Sequence, residues 1–247
     1  MTVDFSALPE RELEAMRDAG ARVRECHRVL ARTSDNIVGE LLKGADTFYE
    51  WNHYPDGDVY DADSQSQYYY HAHAAGERPG EHGHFHTFLR PKGMPPGIAP
   101  APLPDYAPPE DPDDALSHLV AISMDPTGFP IKLFTTNRWV TGEVWYAGED
   151  VCRMLPHFVI DHAQPSWPVN IWVTNMLVLF RPQIRALIHA RDAAVARRAE
   201  RHPSADVFED RGLEVTAETA IDIDRQIGAV EGALTRQRVG RGARRMR

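Results

Sequence analysis

The spacing of apolar positions changes period several times along the chain. Between residues 8 and 43, Leu13, Met16, Ala19, Val23, His27 and Leu30 recur at steps of three and four, which predicts an amphipathic helix. Pro9, Glu10 and Glu12 suit its first turn. Gly20 weakens its middle by about 1 kcal/mol relative to alanine. Ser34-Asp35-Asn36 predicts a break, with "NIVGELL" as a second short helix. The period then drops to two. "TFYEWNHY", "SQYYYHAH" and "GHFHTFLR" alternate in polarity and are rich in aromatics, as strands are. "HLVAISM" and "PIKLFTTNRWV" flank "DPTGF", a hairpin signal with Gly128 free to take a positive φ. Helical spacing returns in "NIWVTNMLVLFRPQIRALIHARDAAVARRAERH", where Pro182 marks a kink or a junction. The last helix is predicted in "TAETAIDIDRQIGAVEGAL", with Thr216 as a cap and Glu218 in its first turn; Thr219 stands where a full capping box would need Glu or Gln. Helices before and after a central antiparallel sheet make the expected class α+β.

Nine of the nineteen prolines fall between Pro91 and Asp114. Proline fixes φ and lacks an N–H donor, so this segment is neither a helix interior nor a central strand. It is expected to be a semi-rigid loop inside one domain spanning residues 1–235. Residues 236–247 carry six arginines and no acid, and are expected to form a basic flexible tail. A content of 43% hydrophobic residues suffices for a core. A formal charge of −9 disfavours a nucleic-acid partner. Two distant cysteines, Cys26 and Cys152, exclude a cysteine-rich zinc module and make a disulfide framework unexpected. No signal-peptide pattern is visible and "MLVLF" is too short to span a bilayer, so no membrane association and a cytoplasmic location are expected.

The chemistry concentrates in one place: five of the twelve histidines lie between His71 and His86. In extended chain, residues two apart share a face. Gln67, Tyr69, His71 and His73 form one row; His82, His84, His86 and Phe88 form another; "AAGERPGE" between them suits a hairpin connection. Opposed residue numbers in an antiparallel pair have a constant sum. A sum of 155 sets His71 opposite His84, and any odd sum gathers all five histidines on one face. One residue of slip separates the rows. Opposed Cβ atoms lie about 4.5–5.5 Å apart, close enough for imidazoles to share one ion at about 2.0–2.1 Å. His71, His73, His82, His84 and His86 are therefore candidate metal ligands. All-nitrogen ligation suits Zn, Cu or Fe over Mg or Ca.

An open coordination position would take water, dioxygen or a small-molecule substrate, with Tyr69, Glu81 and Arg138 as the catalytic or substrate-binding candidates. Two other readings stand beside that one: a non-catalytic protein that holds or passes a metal, and a metal-free histidine-rich interaction surface. The opposite face of the hairpin, Tyr68, Tyr70, Ala72, Phe85, Thr87 and Leu89, is the more apolar. By binary patterning it should meet the core and leave the histidines outward.

His118 could add a ligand from a neighbouring strand, although a histidine at a strand start is more often a structural hydrogen-bonder. Glu77 is an oxygen ligand or simply a loop acid. "DGDVYDAD" fails as an EF-hand: counting from Asp56, Asp61 stands where Gly is required and Gln67 where Glu is required, leaving a turn. His157, Asp161 and His162 are accounted for by a carboxylate–imidazole pair at a helix end. No dinucleotide, phosphate-loop, serine-hydrolase or zincin motif is present.

The runs "EWNHYPDGDVYDADSQSQYYYHAHAAGERPGEHGHFHTFLRP" and "HLVAISMDPTGFPIKLFTTNRWVTGE" resemble a bacterial family filed as a domain of unknown function, over about residues 45–190. That resemblance implies no activity and no catalytic residue. His71, His73 and Glu77 are similar to the HxH-to-Glu fragment of cupins, although Gln65 stands where the cupin glycine would be. "HAH" followed by "SHLVAI" is similar to alpha-class carbonic anhydrases, which take two histidines from one strand and a third from the next.

Overall fold

The computed structural model describes residues 3–74, 76–103 and 107–245. The chain is α+β. Helix α1 (Glu10–Ala31) buries Leu13, Met16, Ala19, Gly20, Val23, Cys26 and Leu30, the stripe expected from spacing. Gly20 has a packing reason: a Cβ there would come within 2.7 Å of Ile227 on a later helix. Asn36 caps α2 (Ile37–Leu42) by accepting the Gly39 N–H at 2.9 Å. Six antiparallel strands follow in sequence order across one sheet: β1 (Tyr54–Asp61), β2 (Ser66–His71), β3 (Gly83–Leu89), β4 (Ser117–Met124), β5 (Pro130–Thr136) and, from near the end of the chain, β6 (Val215–Ala220). Between β5 and β6 lie α3 (Arg138–Thr141), α4 (Gly148–Met154), α5 (Trp167–Leu179) and α6 (Arg181–Arg201); α7 (Ile223–Arg245) closes the order.

Three segments differ from the sequence reading. "TFYEWNHY" is irregular, and the first strand begins at Tyr54 and takes in the acidic run read as a turn. Asp61 explains why the acids are tolerated: its carboxylate accepts the N–H groups of Asp63, Ser64 and Asp161, closing the β1–β2 turn onto a distant loop. "VTAETA" is a strand, because the outer edge of β5 is there to pair with and Lys132 finds Glu218 at 2.8 Å. Helix α7 therefore starts later than expected, and runs through Arg236 to Arg245 where a flexible tail was expected. Pro182 proves a junction, standing in the first turn of α6 just after α5 ends.

The core lies on one face of the sheet. Tyr68, Tyr70, Phe85, Leu89, Val120, Ile122 and Leu133 pack with Val23 of α1, Trp172 and Val173 of α5, and Ile184 and Leu187 of α6. This is the apolar hairpin face expected to meet the core. The histidine face, expected outward and solvated, is buried as well: His84 and His86 are each 1% exposed. The described part of the proline-rich segment packs near Trp145, with Ala101 donating to the Trp145 carbonyl at 2.8 Å.

Candidate metal centre

Strands β2 and β3 pair with Tyr69 opposite His86 and His71 opposite His84, the odd sum of 155. The two histidine rows therefore meet on one face. His71 Nε2 lies 2.7 Å from His84 Nε2. His73, just past the end of β2, completes a group in which one ligand atom from each of His71, His73 and His84 lies within 4.8 Å of the others. A tetrahedral zinc with ligands at about 2.0–2.1 Å spaces its nitrogens roughly 3.3–3.4 Å apart, so the trio has the scale of a metal site. A histidine cluster that could hold a metal ion is thus present in the fold.

Its protonation suits that role. Glu81 Oε1 lies 2.6 Å from His84 Nδ1, and both side chains are sealed, at 3% and 1% exposure. An ionised carboxylate only accepts, so Nδ1 of His84 carries the proton and Nε2 presents a lone pair. Burial works to raise the Glu81 carboxyl, but hydrogen bonds with His84 and Ser123 and the nearby positive charge of Arg78 bring it below its ordinary value. Burial pushes His71 down to about 2, helped by the neighbouring His84, His73 and His53, and pushes His84 down to about 4 against the pull of Glu81. The imidazoles are therefore neutral near pH 7, the form that binds metal.

Behind this trio the imidazole contacts continue inward. His86 has ring centroids 4.7 Å from His84 and 5.2 Å from His71. Its Nδ1 meets His118 Nε2 at 3.0 Å. His118 reaches this face through a β-bulge: Thr87 pairs with Val120, but Phe88 pairs with His118, so Leu119 is the extra residue. Without that insertion the pleat would send Leu119 to the histidine face and His118 to the core. An oxygen of the Glu143 carboxyl group accepts the His118 backbone N–H at 2.6 Å, satisfying a donor at the bulge. Burial raises the Glu143 carboxyl to about 8, so it holds its proton at neutral pH.

His86 Nε2 is buried and lacks a hydrogen-bond partner among the described residues, and the buried Glu81 carboxylate has the Ser123 hydroxyl beside it. All three flank His84: Glu81 bonds it, His86 lies two residues along β3, and Ser123 is its cross-strand partner. Folded proteins leave few buried polar atoms unpaired, so the unpaired ring nitrogen of His86 beside the trio is a donor a ligand can use.

The segment before β1 covers the outer side. The Trp51 ring sits 4.2 Å from that of His73, and His53 stacks on Tyr69 at 3.6 Å, nearly parallel. Tyr69 shares the face with its ring 5.1 Å from His86, and burial raises its phenol. Two openings remain, of about 350 and 270 Å³, and His73, Arg78 and Glu81 line both.

Two candidate residues go elsewhere. His82 precedes the first residue of β3, so the pleat does not hold it with His84; its Nδ1 meets Tyr70 Oη at 2.6 Å on the core side, near Phe48. Gly83 makes that crossing possible, since a Cβ there would come within 2.6 Å of Tyr70 Oη and 2.5 Å of the His71 carbonyl. Arg138 is engaged with Glu209 at 2.7 Å and Asp206 at 3.6 Å, its guanidinium over Phe208. Glu77 lies 3.3 Å from His73 Nδ1 as a surface partner. His53, Arg78 and Ser123 escaped sequence reasoning. Ser123 could have been found, because it shares a pleat face with His84 once β3 and β4 are aligned.

Neither the curated proteins nor the solved structures provide a match to the chain. Residues 17–221 match the family described as Domain of unknown function (DUF6969), and the chain belongs to that family.

Proposed function

We propose that the protein binds one transition metal ion, Zn, Cu or Fe, through His71, His73 and His84, and uses an open coordination position on a small-molecule substrate. The observation that carries this is a histidine trio whose ligand atoms lie within 4.8 Å of one another, with the buried, unpaired His86 Nε2 behind it. The donor set is all imidazole, which suits these metals. Glu81 supports it by fixing the tautomer of His84, as carboxylate partners of metal-bound histidines do.

Bound there, the ion would supply Lewis acidity and a water of lowered pKa. The chain's own residues do the rest. Glu81 holds the proton at His84 Nδ1, and its side chain lines both openings. Tyr69 and Trp51 exclude water from the outer side of the trio. The openings beside His73 favour catalysis over storage, because a closed shell would leave substrate no approach. His86 favours the second reading, a site that only holds its ion, since its free Nε2 would make a fourth nitrogen.

Metal analysis of protein purified without a histidine tag, repeated on His71→Ala and His84→Ala, tests the proposal. One ion per wild-type chain and less than a tenth of that in each variant is expected. A wild-type chain that carries no metal and takes up no Zn, Cu or Fe at micromolar concentration would contradict it.

A further inference from the structure

Arg78 stands at the entrance of the histidine centre, lining both openings. It lies in the β2–β3 connection, 15% exposed, with its guanidinium 5.0 Å from the Phe134 centroid; the Phe134 ring in turn packs edge-on against His84 at 5.0 Å. Among the described residues its one hydrogen bond runs from Nη2 to Glu214, and its Nε is 4.0 Å from Glu81 Oε1, beyond hydrogen-bond reach. Nε and Nη1 thus have no acceptor among the described residues, although the group is anchored on an aromatic face and lines both openings beside His73 and Glu81.

Charge decides what would occupy the larger opening. Its lining carries Arg78 and Lys132 against Glu77, Glu81 and Glu214, an excess of one negative charge. The three acids are already engaged, with His73, His84 and Arg78 respectively, and Lys132 is paired with Glu218 outside the lining, which leaves Arg78 as the cation with donors to spare. A divalent ion on the adjoining histidines turns the balance to one positive charge. At about 350 Å³, the opening has the liquid volume of roughly a dozen waters, so the ligand is small. A planar guanidinium with unused donors beside such an ion matches an oxyanion group, which arginine recognises in a forked geometry.

We propose that Arg78 anchors a small carboxylate- or phosphate-bearing substrate at the histidine centre. This rests on the metal-binding reading above. The test uses the full-length chain loaded with Co(II), whose visible bands report both occupancy and changes in coordination. Malonate and inorganic phosphate are titrated separately, with uncharged malonamide as the control. At least one anion is expected to shift the bands at millimolar concentration, and the arm that responds identifies the group. Arg78→Ala should bind Co(II) within about fivefold of wild type and weaken the anion at least tenfold. Arg78→Lys, which keeps charge but not the fork, should fall between, and it decides the matter if Arg78→Ala does not fold. Cobalt that binds while neither anion shifts its bands overturns this inference and leaves the metal reading standing. So does an equal response to malonamide, or wild-type anion affinity in the variant. A wild-type chain that takes up no cobalt overturns both.

Discussion

The two faces of the central sheet are equally dry and differently finished. On one, Tyr68, Tyr70 and Phe85 are fully buried, and their polar atoms are matched: Tyr68 Oη donates to Asn170 Oδ1 at 2.6 Å, Tyr70 Oη meets His82, and Thr87 Oγ1 donates to the Val120 carbonyl at 2.7 Å. On the other, His84, His86 and His118 are as deeply buried, but His86 Nε2 has no partner among the described residues. Burying an unpaired polar group costs about 1–3 kcal/mol, so the second face carries a stability penalty that the first avoids. Burial therefore does not separate core from site in this protein. A cluster of neutral imidazoles with one ring nitrogen left unpaired does.

Substitutions on the two faces should consequently damage different properties. The largest effect on stability belongs to the core face. Phe85→Ala removes a ring packed on Tyr68, Tyr70 and Trp172, and is expected to cost about 3–5 kcal/mol in urea unfolding of metal-free protein, with zinc affinity nearly kept in the folded fraction. His84→Ala should do the opposite. Its zinc affinity should fall at least a hundredfold, about 2.7 kcal/mol, by competition with a chromophoric chelator, while its metal-free unfolding midpoint drops less than that of Phe85→Ala. If both variants lost stability alike and neither changed zinc binding, the distinction between the faces would collapse.

Subtler changes sharpen it. Glu81→Gln leaves the fold intact but can no longer hold the Nδ1 proton of His84 as a charge-assisted partner, so zinc affinity should drop about 10- to 100-fold. A pH test lies at the bulge. A Glu143 carboxyl held at about 8 keeps its proton in the folded chain up to that pH, whereas an unfolded glutamate releases it near 4.3. The folded form binds more protons across that window, so this group makes stability fall as pH rises from about 5 to 8, by at most about 1.4 kcal/mol per pH unit. Glu143→Gln should lack that decline in urea titrations at pH 5, 6.5 and 8. A wild-type profile as flat as the variant's would show that Glu143 is ionised throughout.

Much of this was legible in the chain, for reasons that residues make plain. Alternation fixed the two rows, and the turn residues between them allowed the odd register that brings His71 against His84. The stripe on α1 announced its buried face. What sequence could not show was tertiary. The strand in "VTAETA" exists because β5 offers an edge, a partner some eighty residues away. His118 turns inward because of one inserted residue, Leu119, which no local pattern signals. His82 obeyed the alternation on paper, yet it lies outside β3 and follows Tyr70 instead. Arg138 and Arg78 are chemically equal in the sequence; only packing puts one against Glu209 and the other beside His73.

The most direct measurement is nitrogen-15 NMR of the histidine side chains before and after one equivalent of zinc. The account predicts that Nε2 of His84 and a ring nitrogen each of His71 and His73 shift together, that His84 keeps its Nδ1 proton against Glu81, and that His82, on the core side with Tyr70, stays unchanged. Histidine resonances indifferent to zinc, or a response confined to His82 and the surface histidines, would contradict it.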